Sequence, residues 1–454
     1  MPQKILAFLY IAALLPLNLL IATAPWGSAY LSAIIVLTYL TFRPNRIFHP
    51  NNMVFAFFGL YVVLSSTLNL CLDLIEWEYV LPSGQQIFWD RISTYVLFQA
   101  EFTFLVLFFS SYFFCKLPYA AQLSTGPSTK VTVREILLVP LYLLTFLLVL
   151  WFIQSTAGLE AWIKEYSFTY LTKREGHGLL NVTITVFGNI VVFLLGLEAY
   201  YRKDRWRYVA SALLIIIAMS FVGGIKSRFI FLLILFLSPY FMTLNLRFRT
   251  LVIFAVTFFL LLYLGSLIRT EGFYASAPFF LEMLVGYFNA YQLHDYVVTS
   301  RGPGWLQTVF LVFAKPLQIL GMLNNDADFD ISVMLTKEFF PAQWDLEHGT
   351  QQWPLDTEMY LNYFGFYLSW LPLIAYAGLI SWLYRSAILR RNLVLVPIFI
   401  MEFQRIFSTM RGTLIPWETP IYLSQYLLIY LVCKFAIQPS PQRPAELKIG
   451  LRHA

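Results

Sequence analysis

Charge is what this sequence has least of. Only 12% of its 454 residues are Asp, Glu, Lys or Arg, about half the ~25% usual in soluble domains. Cysteine is scarce too. Cys71, Cys115 and Cys433 are odd in number, lie in or beside apolar runs and show no metal-ligand spacing, so neither a disulfide scaffold nor a zinc module is expected. Internal repeats are missing, which weakens a transporter built from inverted repeats. Low charge, 59% apolar and 18% aromatic residues and a mean hydropathy of +0.67 exclude a disordered chain, a coiled coil and a water-soluble globule. The apolar runs are long and continuous rather than ten-residue alternations, which argues against an outer-membrane barrel. What remains is an all-α polytopic membrane protein. In such a chain the net charge of +6 reports orientation, and no nucleic-acid partner is expected.

A membrane-crossing helix needs about 20 mostly apolar residues. Twelve are expected, at about 5–22, 27–42, 53–73, 92–115, 136–154, 179–201, 208–222, 229–245, 251–267, 360–384, 393–409 and 419–436. Lys4, the apolar run to Leu20 and Ala22-Thr23-Ala24 imitate a secretory signal. Pro25 at the next position opposes cleavage, so the first helix is expected to stay. Even-numbered connections carry Arg43 and Arg46, then Lys116, Lys130 and Arg134, then Arg202, Lys203, Arg205 and Arg207, and later Arg385, Arg390 and Arg391. Glu76, Glu78, Glu160 and Glu165 fall in odd-numbered ones. The positive-inside rule then puts both termini in the cytoplasm.

The expected layout is nine helices over 1–267, a large external loop over 268–359, three helices over 360–436 and a cytoplasmic tail over 437–454. The loop holds four basic residues (Arg269, Arg301, Lys315 and Lys337) against eleven acidic ones. It is too aromatic to be disordered. Its apolar stretches Phe279–Tyr291 and Trp305–Met322 are expected as helices lying on the membrane surface, within a folded cap.

Basic residues on the external face oppose the topology signal and need a reason. Gly223-Gly224-Ile225-Lys226-Ser227-Arg228 reads as a tight turn that delivers Lys226 and Arg228 to a helix start. There free amides and the helix dipole also favour an anion. The alternative is that both side chains snorkel to headgroups. Arg405 and Arg411, with Glu402 and Glu418, surround the connection before the last helix, and Arg269 ends the ninth at the same level. Planar guanidinium groups suit phosphate, although an Arg411–Glu418 ion pair would equally hold the loop. A third cluster, His348, Asp356, Glu358, Tyr360 and Asn362, lies where the loop re-enters the membrane. A carboxylate in apolar surroundings there can act as a general base. Capping or loop architecture is the expected role of Asp356, and a site role that of Glu358. The Asp326–Asp330 run lacks the glycine and distal glutamate of a calcium loop, and no metal is expected. Glu101, in mid-span, is a functional candidate or the partner of a helix-end arginine.

Together these features resemble the Wzy-type oligosaccharide repeat-unit polymerases of bacterial inner membranes. The resemblance rests on the layout, on Gly223–Arg228, on Glu358-Met359-Tyr360-Leu361-Asn362-Tyr363-Phe364-Gly365 and on Met410-Arg411-Gly412. Lys226 stands where an arginine is common in the family, and the family's proline-rich loop segment is only echoed by Lys315-Pro316.

The resemblance implies a GT-C-like helical fold in the inner membrane and periplasmic, metal-independent glycosyl transfer with no cofactor. Undecaprenyl-diphosphate-linked oligosaccharide would be both donor and acceptor. Membrane lipids surround the chain, and a chain-length-determinant co-polymerase is a candidate partner. In that reading Arg228, Arg411 and Glu358 are catalytic. Lys226, Arg269, Arg405, Tyr360, Asn362 and His348 contact substrate, and Trp344 and Trp353 either stack on sugars or pack the loop. The alternatives are an O-antigen ligase and a flippase for lipid-linked oligosaccharide.

Overall fold

The computed structural model of the chain describes residues 2–439 apart from 22–25, 78–88, 117–130, 167–168, 171–172, 174–175, 224, 243, 247–248, 251, 254–255, 258, 261–262, 264–276, 325–327 and 348. In order come α1 (Pro2–Ile21), α2 (Gly27–Phe42), α3 (Pro50–Leu74), α4 (Thr94–Lys116), α5 (Glu135–Thr156), α6 (Gly158–Lys164), α7 (Gly178–Tyr201), α8 (Arg205–Gly223) and α9 (Ile225–Phe241). The long loop contributes α10 (Ala277–Tyr287), α11 (Ala290–Ser300), α12 (Leu311–Ile319), α13 (Ile331–Phe339), α14 (Pro341–Glu347) and α15 (Leu355–Asn362). After it follow α16 (Trp370–Leu389), α17 (Val396–Met410) and α18 (Thr419–Ala436). The sheet among the described residues is a single antiparallel ribbon, β1 (Val131–Val133) paired with β2 (Ile437–Pro439).

Six of these helices, α3, α4, α5, α7, α8 and α16, are long and apolar enough to cross a membrane, and α2 is a shorter apolar helix. On α5 the exposed side chains Ile136, Val139, Leu143, Leu147, Leu150 and Trp151 form an apolar stripe at helical spacing. A water-facing helix would carry polar residues on that stripe, whereas a lipid-facing one would not. Of the twelve expected spans, the ninth (251–267) falls largely outside the described residues.

The chain divides into two compact units. The first comprises Met1–Leu117, Asn245–Tyr384 and Glu402–Pro420; the second comprises Pro118–Leu244, Arg385–Met401 and Ile421–Ala454. In the second, α7 is the hub for α5, α8 and α9. Gly196 permits this packing, because a Cβ there would lie 2.3 Å from the Phe236 carbonyl oxygen of α9. Small residues allow such backbone approaches between membrane helices. The buried Glu198 accepts the Val133 N–H (2.6 Å) and pairs with Arg202, which also meets Glu135 at 2.8 Å. That carboxylate fastens the ribbon to α7.

In the first unit α4 packs against α16, α3, α2 and α11. The tenth expected span needs correction: the membrane-length helix α16 begins at Trp370, not at residue 360. Phe364 (φ 51°) and Gly365 (φ 60°) are both left-handed and end the shorter helix α15. A side chain at Gly365 is excluded twice, since its Cβ would also meet the Tyr95 hydroxyl at 2.0 Å. The apolar-surface expectation for Phe279–Tyr291 is corrected as well. The stretch breaks at Phe288–Asn289, and Ala290, Tyr291 and His294 of α11 are fully buried. For Trp305–Met322 the helix is limited to α12, beside which Phe310, Phe313, Leu317, Leu320 and Met322 leave an exposed apolar face. Glu101 of α4 is buried beside Asn18, and among the described residues no cation lies within ion-pair distance of it.

Candidate functional site

Helix α15 is short, yet every one of its residues is buried. Residues two apart on a helix point to nearly opposite faces, and α15 uses both. Asp356 turns toward α4 and α11: its carboxylate accepts the Thr103 hydroxyl (2.6 Å) and the Tyr291 hydroxyl (2.8 Å), and its carbonyl accepts the Gln99 amide (2.6 Å). His294 completes the network, 3.3 Å from Gln99 Oε1 through Nε2 and 3.0 Å from Thr357 Oγ1 through Nδ1. Burial holds His294 down at about 3, so its ring is neutral. Gln99 Oε1 accepts only, so Nε2 carries the proton and the Thr357 hydroxyl donates to Nδ1. Burial raises the Asp356 carboxyl to about 6, against the pull of its two hydroxyl donors. Asp356 is thus the rivet of a satisfied polar network, in keeping with an architectural role.

Glu358 faces the other way. Its Oε2 accepts the Leu414 N–H at 2.8 Å, and the residue is 8% exposed. Burial raises its carboxyl to about 7, the Leu414 N–H pulls against that rise, and the Asp330 carboxylate adds to it. Glu358 lines a small surface-open cavity of about 80 Å³, together with Thr308, Asp330, Tyr363, Thr413 and Trp417. Asp330 also caps α13 by accepting the Ser332 N–H at 2.6 Å. The cavity wall is built by the third cluster itself. Asn362 accepts the Thr308 N–H and donates to its hydroxyl, both at 2.8 Å. The Tyr360 hydroxyl donates to the Arg301 carbonyl (2.8 Å), and Gly304, Leu306 and Gln307 pair along the backbone of residues 360–362. Tyr360 and Asn362 thus spend their polar groups on the wall and do not line the cavity.

Arg411 follows α17, three residues before Leu414. Three residues of extended chain span at most about 11 Å, so the Leu414–Glu358 bond keeps Arg411 close to the cavity rim. Its guanidinium lies against the hydroxyl of Tyr61, which donates to Gln352 at 2.9 Å, and its buried Nε has no hydrogen-bond partner among the described residues. Tyr61 sits in a π-helical turn, Gly59–Leu64, inside α3; such turns re-aim one side chain out of the helical register. No Arg411–Glu418 ion pair forms among the described residues, whereas Arg405 pairs with Glu402 at 2.7 Å.

None of the other predicted residues is among the described residues lining this cavity. Arg228 belongs to the second unit, at the start of α9, where it donates to Asn189 Oδ1 (3.0 Å) and the Thr185 carbonyl (3.4 Å) of α7 and lies over the Phe231 ring. Its guanidinium turns into the helix packing, contrary to the snorkelling alternative. Arg269, His348 and the Lys226 side chain lie outside the described residues. For Trp353 the packing alternative holds: it is fully buried against Phe339 and Phe340 and offers no face to a sugar. The indole that does reach the cavity is Trp417, which sequence reasoning missed along with Tyr61, Thr308 and Asp330. Trp417 follows Arg411 by six residues in the same short connection between helices, a signal that was available; nothing in the sequence marks Tyr61. No family model, curated protein or solved structure matches the chain.

Proposed function

We propose that the chain is a glycosyltransferase of the repeat-unit polymerase type, a twelve-span protein of GT-C-like architecture in the bacterial inner membrane with cytoplasmic termini. It joins lipid-diphosphate-linked oligosaccharides on the periplasmic side. What supports the reading is one juxtaposition: a buried, half-satisfied carboxyl poised near neutrality and an arginine with an unused donor, tied together by the Glu358–Leu414 hydrogen bond. In the reaction Glu358 takes the proton from the acceptor hydroxyl as that oxygen bonds to C1 of the donor sugar. The C1–oxygen bond to the lipid diphosphate breaks, and Arg411 neutralises charge on the departing diphosphate. A fixed guanidinium gains strength in a site that excludes water. Tyr61 and Gln352 position Arg411; Tyr360 and Asn362 keep the acceptor wall in place. Arg228, in the second unit, is assigned separately as a contact for lipid diphosphate.

The test is the surface glycan of a strain lacking the chain, complemented with wild type, Arg411→Ala, Glu358→Gln or Arg228→Ala at equal protein abundance. The reading expects single repeats on the lipid core in the deletion and in each variant. Long glycan that fails to reach the core identifies a ligase, and loss of all external glycan identifies a flippase. Undiminished chain length in the Arg411 and Glu358 variants removes the assignment.

A further inference from the structure

The cavity beside Glu358 has a composition that the transfer reaction alone does not require. Among the described residues, Asp330 and Glu358 are the charged residues lining it, and no cationic side chain is part of that lining. Glu358 is more than nine-tenths buried, with one oxygen held by Leu414 and no hydrogen-bond partner on the other among the described residues. Thr308 and Thr413 add hydroxyls, and Tyr363 and Trp417 add aromatic surface. Carboxylates accept hydrogen bonds from hydroxyl and ammonium groups, and aromatic faces cover the C–H side of a sugar ring. A ligand carboxylate brought here meets Asp330 and Glu358 directly, while the nearby cations, Lys315 over the Phe329 ring and Arg411 beyond Leu414, stand outside the lining, and burial enlarges the cost of the repulsion.

We infer that this cavity is the subsite for the terminal sugar of the acceptor, and that it takes a neutral or amine-bearing pyranose and rejects a uronic acid. The inference rests on the polymerase reading for the word acceptor, and it adds the chemical class of the sugar. Asp330 enforces the selection, because its cap on α13 fixes the carboxylate at the cavity edge. Glu358 contributes to it and supplies the base. Trp417 supplies affinity without regard to charge.

The experiment uses the full-length chain in lipid nanodiscs at pH 8, with saturation-transfer NMR as readout and methyl glycosides of N-acetylglucosamine, glucosamine and glucuronic acid as probes. Wild type is expected to bind the first two at least tenfold more tightly than the glucuronide. Asp330→Asn keeps a helix-capping side chain and, combined with Glu358→Gln, is expected to bring the glucuronide within about threefold of the neutral sugar. Trp417→Leu is expected to weaken all three together. Equal binding of the glucuronide by wild type, binding of none of the probes, or sugar binding unchanged in Trp417→Leu overturns the inference. These outcomes are separable from failure of the polymerase reading, which is read from glycan length in the Arg411 variant whatever the sugar preference.

Discussion

Replacing Glu358 with glutamine should make the protein more stable at alkaline pH while abolishing its activity. The residue is 8% exposed, and its carboxyl is raised by burial from 4.5 to about 7. Below pH 4.5 the folded and unfolded chains both hold the proton, and burial of a neutral acid costs little. Between 4.5 and 7 the unfolded chain has released it and the folded chain has not, so stability falls as pH rises. Above 7 the folded chain holds a buried charge and the loss is complete. At about 1.4 kcal/mol per pH unit the interval corresponds to ~3 kcal/mol. Glutamine keeps an oxygen for the Leu414 N–H but never carries the charge. Glu358→Gln should therefore match wild type at pH 4 and exceed it by about 2–3 kcal/mol at pH 8, an increase of several degrees in Tm. Intrinsic-fluorescence melting of the purified chain in detergent at the two pH values reads this directly. A variant that melts at or below wild type at pH 8, or gains equally at both, refutes the account of Glu358 as a buried charge kept for function.

Other consequences are as concrete. Transfer activity should rise with pH through about 7, because Glu358 acts as a base only when ionised; a rate that falls across that interval contradicts the role. Asp356→Ala strands the Thr103 and Tyr291 hydroxyls, each costing about 1–3 kcal/mol when buried without a partner, and should reduce folded yield with no change in the pH profile of what remains. Asn362→Ala removes two hydrogen bonds to Thr308 and should raise KM for acceptor more than it lowers kcat, measured with purified protein. Tryptophan at Phe313, on the exposed apolar face of α12, should be quenched by brominated lipids if that helix lies in the membrane interface; emission unchanged by bromination removes the helix from the bilayer.

Much of the helical layout was legible because hydrophobic run length is a direct physical requirement. Windows such as 27–42 and 179–201 coincide with α2 and α7 to within a residue. The misplaced start of α16 has a local cause. Tyr360–Trp370 is as apolar as a span, but two consecutive left-handed residues, one of them the aromatic Phe364, are invisible to hydropathy. Glu358 was legible as an acid where the long loop meets an apolar run, and Arg411 as a cation in a short connection between apolar runs. Their link was not, because it depends on a backbone N–H of Leu414 that any residue could supply. Asn189, the partner of Arg228, was equally hidden: it is one polar residue inside a long apolar helix, and its meaning comes from the packing of α7 against α9. Trp353 was left open between stacking and packing, because aromatic residues in a loop look alike in sequence whether they form the core or face a ligand; its burial decides for packing.

The most direct test of the central claim is chain extension by the purified protein in liposomes supplied with a lipid-diphosphate-linked repeat unit. Wild type should build a ladder of products, while Arg411→Ala and Glu358→Gln, folded as judged by their melting curves, should leave the repeat unit unextended. Ladder formation by either variant at the wild-type rate would contradict the claim that this arginine and this carboxyl carry the reaction.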